Sequence, residues 1–363
     1  MRKINVLNII TGLNPGGAEE MLLRTVQGVN KNKFRMVVVS FVGGMLKKEF
    51  EVLCSTQVLN IKSTLKFPLA VVKVHRLIKK YNVAVVHAYL FHANIVARFA
   101  AIGTSAKVIS AIRIKQIEHP WHNWVDRFTR FLVDIYTTNS ESVTKFMINV
   151  CRINNKKIVC IKNGLEIEKI DKISADHMLR KKLGIPQKAK VIISSANMRR
   201  QKDYPTLFKA LTLLKNVHLI IIGGGPLQKE YELLAKSLGI DNRVHFLGFI
   251  RNFIEVTKAG DAGVLSTFYE GQPNAVLVYM ATKKPVVTTS IPETRELVKN
   301  NFDGLLIPPR NPRKFAAGIK KVLTDKKFTE KLVNNAYKKV KKDHNITRVI
   351  KETEELYTKL CAE

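Results

Sequence analysis

The chain has 363 residues, of which 46% are hydrophobic and 25% are charged. Because one domain averages ~150 residues, this length predicts two domains, and the composition excludes general disorder. The sequence contains 61 Lys and Arg against 29 Asp and Glu, a formal net charge of +32. So basic a chain is expected to meet an acidic partner, such as nucleic acid, an anionic membrane or a phosphate-bearing substrate.

Cysteine spacing and apolar segments narrow the cellular setting. The four cysteines, at positions 54, 151, 160 and 361, show no C-x-x-C spacing, so neither a zinc site nor a disulfide framework is supported. A reducing cytoplasm is the simpler compartment. Asn5 and Asn8 interrupt the apolar N-terminus, which we interpret as a buried strand rather than a secretory signal. His87 and Arg98 within the apolar stretch 83–103 exclude a membrane span there.

Short β-branched runs alternate with amphipathic segments along the chain, which is typical of βα units and parallel sheets. In the first half this pattern predicts strands at 4–10, 34–41, 56–61, 83–89, 107–112, 135–140 and 157–164. A polar stretch after Gly164 has no strand signal and marks a domain boundary. The second half predicts strands at 190–196, 217–225, 243–249, 262–267, 284–290 and 304–309, with helices from Pro312 onward.

The predicted fold class is therefore α/β, with two doubly wound parallel-sheet domains at 1–165 and 166–345 and a last helix in 346–363. Sheets of this kind place ligands outside the carboxyl ends of their strands. Two of them in tandem suggest a ligand cleft between the domains.

Two glycine turns follow predicted strands. Gly16 and Gly17 lie between the first strand and a helix, where N–H groups at a helix start can approach an anion. The same glycines also fit an ordinary tight turn, so both interpretations stay open. The dinucleotide fingerprint G-x-G-x-x-G is absent. A second turn, which includes Gly224 and Gly225, could likewise bring backbone N–H groups close to an anion, or it is a simple loop.

Charged residues follow two strands of the second half. Arg199 and Lys202 come after the strand at 190–196, where cations suit a diphosphate whose charge grows as it leaves, although exposed cations often only face solvent. Glu270 lies in a loop before a helix, where it could accept hydrogen bonds from sugar hydroxyls or cap that helix. Phosphate could be held by the free N–H groups at the start of this helix, those of Asn274, Ala275 and Val276.

Several motifs, in order, resemble family 4 glycosyltransferases. They are GGAE at 16–19, RRQKDYPTLFKAL at 199–211, IIIGGGPLQKE at 220–230, RVHFLGF at 243–249, AGDAGVLSTFYEGQPNAVLVYMATKKPVV at 259–287 and DGLLIPPRNP at 303–312. The resemblance covers nearly the whole chain. It implies a GT-B fold of two Rossmann-like domains that face each other across a cleft, and a retaining, nucleotide-sugar-dependent enzyme.

The resemblance also implies roles for residues. Arg199 and Lys202 match the basic pair that binds the donor diphosphate, and Glu270 matches the acid that contacts the donor sugar. The backbone from Gly271 to Val276 matches the phosphate-binding helix start. Gly16 and Gly17 match the loop over the phosphates and acceptor. The first domain would bind the acceptor, the second the donor, and the last helix would cross back to the first.

The sequence departs from the family pattern at two positions. Val278 stands where the family has a second Glu that binds the ribose hydroxyls, and Val cannot accept a hydrogen bond. That loss corresponds to roughly 1.5–3 kcal/mol, or about one to two decades in donor affinity. Arg113 stands where many relatives have a His near the reacting centre; a cation there could hold an acceptor phosphate or the leaving diphosphate. His87 and His92 lie nearby in sequence; each is either structural or catalytic, and His87 is grouped with the acceptor loop.

We therefore expect a retaining hexosyltransferase that moves a sugar from a nucleoside-diphosphate sugar to an acceptor hydroxyl, with no metal and no other cofactor. Its acceptor is expected to be a lipid-linked or cell-surface glycan precursor of capsule or lipopolysaccharide biosynthesis. The alternative is a non-catalytic GT-B scaffold that binds a glycan or a partner after the loss of the second Glu at Val278.

The positive charge favours a membrane over nucleic acid. Residues 1–165 contain 25 basic and 8 acidic residues, +17, while 166–363 contain 36 and 21, +15, and no nucleic-acid-reading motif occurs. The segment 65–81 predicts a helix with Ala70, Val74 and Ile78 on one side and lysines and an arginine on the other. It could rest on anionic lipid or simply pack on the first sheet. We expect a cytoplasmic protein at the inner face of the cell membrane.

Overall fold

A computed structural model describes residues 3–362, and the chain divides into two α/β units. Residues up to 164 form the first unit together with the last helix of the chain, and Leu165–Asn345 form the second. The hydrophobic runs that predicted strands form the central sheet of each unit. Helices cover both faces of such a sheet, so its strands are apolar along their whole length.

The first unit is built on a parallel sheet of seven strands. They are β1 (Ile4–Ile10), β2 (Phe34–Ser40), β3 (Ser55–Val58), β4 (Val85–Tyr89), β5 (Lys107–Ile112), β6 (Ile135–Thr138) and β7 (Ile158–Cys160). Their order is β3-β2-β1-β4-β5-β6-β7. Helices of this unit are α1 (Gly17–Gly28), α2 (Lys47–Leu53), α3 (Phe67–Lys80), α4 (Phe91–Ala100), α5 (Pro120–Phe128) and α6 (Glu141–Asn149).

The second unit has a six-stranded parallel sheet of order β10-β9-β8-β11-β12-β13. The strands are β8 (Lys190–Ser195), β9 (Val217–Ile222), β10 (Val244–Phe246), β11 (Ala262–Leu265), β12 (Val286–Thr289) and β13 (Leu305–Ile307). The helices are α7 (Ile167–Lys172), α8 (Leu179–Lys182), α9 (Tyr204–Thr212), α10 (Gln228–Ser237), α11 (Phe253–Ala259), α12 (Asn274–Ala281), α13 (Pro292–Leu297), α14 (Pro312–Thr324) and α15 (Lys326–Asp343).

The chain ends in α16 (Ile346–Ala362), which packs in the first unit. Its apolar side, including Val349 and Tyr357, joins the core beneath β1 and β2. The carboxylate of Glu354 accepts a hydrogen bond of 2.6 Å from the N–H of Asn30. Gly164 lies so close to this helix that a Cβ there would stand 2.9 Å from the Cα of Ile346. A side chain at this position would therefore displace α16.

The structure confirms the α/β class, with two doubly wound parallel sheets, and each of the thirteen predicted strands is present. Some predicted strands are longer than the observed ones. The strand predicted at 217–225 ends at Ile222, because Gly223 takes a φ of +128°, which leaves the extended region. The strand predicted at 157–164 ends at Cys160, and the following residues turn toward α16.

The helix predicted within 65–81 is α3, and its apolar side is buried. Ala70, Val74 and Ile78 pack with residues of β1 and β4 in the core of the first unit. The basic residues Arg76 and Lys79 remain exposed. The apolar side of α3 is thus occupied by the protein itself, and only its polar side faces outward.

Candidate active site

In the second unit, the strand order reverses between the neighbouring strands β8 and β11. Crossover connections leave in opposite directions at such a reversal, so a crevice opens outside the carboxyl ends of the two strands. The loop after β8 carries Arg199 and Lys202, and the loop after β11 carries Glu270. The three residues that the sequence singled out for donor chemistry therefore follow the two strands at this reversal.

An ion pair between Lys202 Nζ and Glu270 Oε1 connects the two loops. It is largely removed from water, with the Lys and Glu side chains 15% and 7% exposed. Gln201 Nε2 approaches Glu270 Oε2 at 3.5 Å and donates to the carbonyl of Tyr269 at 3.0 Å. The carboxylate thus has fixed neighbours on both oxygens, which holds it in one orientation.

Backbone hydrogen bonds reinforce the connection. The carbonyl of Gln201 accepts from Phe268 N at 2.8 Å and from Thr267 Oγ1 at 3.1 Å. Asp203 adopts a left-handed conformation at φ 37°, and its carboxylate caps α9 through the N–H of Thr206. Burial raises the pKa of Asp203, and hydrogen bonds from Thr206 oppose that rise. The loop that carries Arg199 and Lys202 is therefore fixed by the bonds of Gln201 to the loop after β11 and by the Asp203 cap at the start of α9.

The glycine turn after β9 packs directly against the loop after β8. A Cβ on Gly225 would stand 2.5 Å from the carbonyl oxygen of Met198, and one on Gly223 would stand 2.6 Å from that of Ala196. The N–H of Met198 donates to the carbonyl of Gly224 at 2.9 Å. Close backbone approach therefore explains Gly223 and Gly225, whereas a Cβ on Gly224 would meet the ring of Phe249. This approach supports the chain just before Arg199.

Two arginines supply exposed positive charge near this crevice. Arg199 is exposed and makes no ion pair with any residue in the range 3–362. Arg310, which sequence reasoning missed, stacks on the ring of Phe268 with its guanidinium carbon 5.0 Å from the ring centroid. The signal that could have found it is the DGLLIPPRNP motif, in which Arg310 follows β13.

The helix start proposed to bind phosphate is present, but it offers fewer backbone N–H groups than expected. Helix α12 begins at Asn274 after Pro273, which has no side-chain cap, so no side chain of the capping residue competes for the amides of the first turn. The N–H of Val276, however, donates to the carbonyl of Pro273 at 3.1 Å. The prediction that this third N–H is free is therefore wrong. The amides of Asn274 and Ala275, after the loop at Gly271, are the ones placed at the start.

Val278 lies inside the apolar core of the second unit, where it is 5% exposed. The next residue, Tyr279, is fully buried, and its hydroxyl accepts a 2.7 Å hydrogen bond from the N–H of Ser195. Val278 thus contributes packing to α12 and offers no hydrogen bond to a ligand.

In the first unit, the order reverses between β1 and β4, and Gly16 and Gly17 follow β1. Gly16 is the N-cap of α1, and the side chain of Glu19 folds back over it, so that a Cβ on Gly16 would stand 3.3 Å from Glu19 Cδ. The protein's own carboxyl group therefore occupies the helix start where a phosphate was expected. Burial raises the pKa of Glu19 to about 7, partly opposed by a hydrogen bond from its own backbone.

His87, on β4, is enclosed by hydroxyl groups. Its Nδ1 lies 2.8 Å from the hydroxyl of Tyr357 and 3.2 Å from that of Tyr89, and its Nε2 lies 3.4 Å from Thr137 Oγ1. Burial, and to a lesser degree the charge of Arg113, lowers the pKa of His87 to about 3. The ring is therefore neutral and joins α16 to the sheet, and in this arrangement it presents no free nitrogen to an acceptor.

Arg113 follows β5 and is held by protein groups. Its Nη2 donates to Asn163 Oδ1, and its carbonyl accepts from Asn139 Nδ2 at 3.2 Å. Burial lowers the pKa of this guanidinium, while the nearby carboxyl of Glu19 is among the groups that oppose the shift. Arg113 and Glu19 thus form a polar cluster beside the Gly16 loop, of which the sequence named only the arginine.

Each unit has a Rossmann-like sheet with polar groups near the point where its strand order reverses. This is the architecture of α/β enzymes that bind nucleotides. Residues 15–169 match the family model for Glycosyltransferase Family 4, and residues 176–339 match the model for Glycosyl transferases group 1. The two matches together cover most of the chain. The chain belongs to the family 4 glycosyltransferases, and the resemblance found in the sequence motifs is confirmed.

Three curated proteins illustrate the relationship. An uncharacterised glycosyltransferase of Methanocaldococcus jannaschii, MJ1607, is 29% identical over 61% of this chain and 58% of its own length. The UDP-Gal:alpha-D-GlcNAc-diphosphoundecaprenol alpha-1,3-galactosyltransferase of Escherichia coli is 24% identical over 81% of this chain and 80% of its own. The capsular polysaccharide biosynthesis glycosyltransferase CapH of Staphylococcus aureus is 23% identical over 98% of both chains. The expectation of a hexosyltransferase agrees with these names.

Solved structures confirm the GT-B fold. Anabaena HepE, crystallised with UDP and glucose, matches 98% of this chain and 100% of its own with a TM-score of 0.89 at 22% identity. WaaG, a glycosyltransferase of lipopolysaccharide biosynthesis, matches 97% and 99% with a TM-score of 0.78 at 14% identity. Within residues 3–362, no helix combines the length and apolar character needed to cross a bilayer. The same residues contain no cluster of three or more His, Cys, Asp or Glu suited to a metal ion.

The buried pair in the second unit predicts a stability effect. Lys202→Met leaves the Glu270 carboxylate without its counter-ion in a site shielded from water, so we expect unfolding to be easier by about 3–5 kcal/mol. Adding Glu270→Leu removes the second charge and should restore much of the loss. Urea unfolding of both variants measures this. A Lys202→Met protein as stable as wild type would contradict the role of the pair.

Glu19 predicts a stability change with pH. Its folded pKa of about 7 lies above the ordinary 4.5, so the folded state holds this proton more tightly than the unfolded state. The stabilisation is complete below 4.5 and is lost as the pH rises through about 7. Glu19→Gln, which stays neutral, should therefore lose less stability than wild type across that range. Thermal unfolding at several pH values measures it, and Glu118→Gln, which removes an exposed carboxylate elsewhere in the first unit, should keep the wild-type loss.

Proposed function

We propose that the chain transfers a hexose from a uridine-diphosphate sugar to a hydroxyl of a lipid-linked or cell-surface glycan precursor, with retention of the anomeric configuration. The observation that carries this proposal is the meeting of Arg199, Lys202 and Glu270 at the strand reversal of the second unit. Uridine is chosen because HepE was crystallised with UDP and the Escherichia coli relative is named for a UDP-sugar.

Arg199 would bind the donor diphosphate. It is exposed at the carboxyl end of β8 and has no competing carboxylate partner in the described part of the chain. A guanidinium can bind two phosphate oxygens at once, and its attraction increases as negative charge accumulates on the leaving diphosphate. The amide of Ala275, in the first turn of α12 beside Asn274, would add a hydrogen bond from a helix start.

Glu270 would hold the donor sugar. Its carboxylate is fixed by Lys202 and Gln201, so it would accept hydrogen bonds from sugar hydroxyls without first having to be ordered. Lys202 thus has two proposed tasks, orienting Glu270 and adding positive charge for the diphosphate. In this scheme the acceptor hydroxyl attacks on the face that the diphosphate leaves, the diphosphate oxygen takes the proton, and no metal is required.

We further propose that the first unit binds the acceptor beside Gly16, Gly17 and Arg113, and that the protein acts in the cytoplasm at the inner face of the cell membrane. The name of the Escherichia coli relative gives a diphosphoundecaprenol-linked sugar as that protein's acceptor, which supports a lipid-linked acceptor here. Arg113, whose guanidinium donates to Asn163, would bind an acceptor phosphate in this proposal.

A non-catalytic scaffold is the second candidate, and it rests on Val278. This residue belongs to the core and supplies no hydrogen bond for a ribose. A scaffold would bind a glycan or a partner and would consume no UDP-sugar. A screen of UDP-sugars for hydrolysis and transfer, with the product anomer read by nuclear magnetic resonance, therefore distinguishes the two candidates and tests retention.

Neighbouring arginines give a matched test of donor binding. Arg199→Ala removes the proposed diphosphate contact, and the loss of one charge-assisted hydrogen bond should weaken UDP binding about 10- to 100-fold. Arg200→Ala removes an exposed arginine one residue later and should leave the affinity near that of wild type. Isothermal titration calorimetry measures both. Equal affinities in the two variants would argue against the assigned role of Arg199.

Transfer itself tests Glu270. Glu270→Gln keeps the shape of the side chain but removes the charge, so UDP should still bind while transfer falls by about a hundredfold or more. A thermal unfolding scan shows whether the variant remains folded, since Lys202 loses its counter-ion. Wild-type transfer rates in a folded Glu270→Gln protein would refute the assignment.

A further inference from the structure

Helix α5 presents an apolar face to solvent. Trp121, Trp124 and Phe128, spaced three and four residues apart, lie along one side of the helix. They are 55%, 57% and 69% exposed, and Phe131, in the turn that follows, is 76% exposed. We call these four residues the aromatic face. The rings of Trp124 and Phe128 stack at a centroid distance of 6.1 Å, so the face is continuous along the helix.

The opposite side of α5 is polar and buried. Asp126 is 1% exposed and forms an ion pair of 2.7 Å with Arg98 of α4. Asn123 donates to the carbonyl of Gln116 at 3.2 Å. A helix on the surface of a protein in water normally buries its apolar side and exposes its polar side. Helix α5 does the reverse, so its polar contacts anchor it while its aromatic side chains remain available.

The apolar surface extends beyond α5. Ile102 is itself about half exposed and lines one shallow depression with Phe131, and the charged residues Asp134 and Lys157 line the same depression. At the other end, the ring of Trp121 meets Phe91 edge-on at 5.4 Å, which fixes its orientation. Exposed aromatic and aliphatic side chains that adjoin one another on a protein surface mark a contact site.

Two arginines lie next to residues of the aromatic face. The guanidinium of Arg127 lies 5.6 Å from the ring centroid of Trp124. Arg130 is exposed and donates to the carbonyl of Arg152 at 2.6 Å, which holds it next to Phe131. The one acidic residue of α5, Asp126, is already paired inside. The surface is therefore aromatic and cationic, within a region of the sequence that carries +17.

We infer that the aromatic face is the surface by which this chain attaches to an anionic phospholipid bilayer. Trp and Phe side chains enter the headgroup boundary, while arginines next to them attract anionic headgroups. This attachment does not depend on the proposed donor chemistry. It also places membrane contact on α5, whereas the apolar side of α3 is committed to the core.

The chain offers a direct spectroscopic test, because it has two tryptophans and both belong to the aromatic face. Intrinsic tryptophan fluorescence of the full-length protein therefore reports on α5 alone. Vesicles of phosphatidylcholine and phosphatidylglycerol in equal parts should shift the emission to shorter wavelength, and brominated acyl chains should quench it. Vesicles of phosphatidylcholine alone should give a smaller effect, and salt should weaken the response to anionic vesicles.

Variants identify the surface. Trp124→Gln, Phe128→Gln and Phe131→Gln combined should lower sedimentation with anionic vesicles at least about tenfold. The matched control, Leu213→Gln, Leu233→Gln and Phe302→Gln combined, removes three exposed apolar residues of the second unit and should bind like wild type. Arg127→Gln should weaken binding to anionic vesicles about fivefold, the equivalent of ~1 kcal/mol per basic residue, and change neutral vesicles little.

Three results would overturn the inference. One is the absence of an emission shift with anionic vesicles. The second is equal vesicle binding by the aromatic and control variants, with both shown to be folded by circular dichroism. The third is a concentration-dependent shift without lipid, accompanied by dimers in analytical ultracentrifugation, which would assign the face to a second copy of the chain. UDP binding, measured separately on the aromatic variant, shows whether the donor site is unaffected.

Discussion

The second unit depends on the ion pair between Lys202 and Glu270, because it joins the loops that leave β8 and β11 where the strand order reverses. Burying two charges has a desolvation cost, and attraction offsets it only when further hydrogen bonds satisfy both groups. Gln201 provides one such bond from its side chain to Glu270, and its carbonyl accepts from Thr267, which ties the two loops together. The crevice is therefore closed at its base, and Arg199 and α12 take their positions from the two loops.

The sequence predicted that Arg199, Lys202 and Glu270 lie at the same edge of the sheet. Their placement follows from the rules of parallel sheets and needs no knowledge of side-chain contacts. Alternating β-branched and amphipathic runs define parallel strands, and the carboxyl ends of such strands lie along one edge of the sheet. Arg199 and Glu270 each follow such a strand, so their approach needed only β8 and β11 to be neighbours. The Gly223 turn was also visible, although its reason, backbone contact with Ala196, was not.

Side-chain partners far apart in sequence were beyond prediction. His87 and Tyr357 are 270 residues apart, and nothing in the local pattern indicates that this hydroxyl meets the imidazole. Glu19 lies in the quoted GGAE motif, yet its return over Gly16 depends on a rotamer. Val278 looked like a missing ligand in the motif, but α12 is apolar on nearly all sides, so the core determines that position.

The orientation of α5 follows from a charge rather than from hydrophobicity. Arg98 on α4 is 1% exposed, and a buried guanidinium is costly unless a carboxylate pairs with it. Asp126 is that carboxylate, so α5 must turn its acidic side inward. Because Trp124 and Phe128 lie on the other side of the helix, the same rotation moves them outward. Hydrophobic periodicity alone would place them in the core. A buried ion pair thus leaves an apolar helix face facing water, and a partner less polar than water would relieve that exposure.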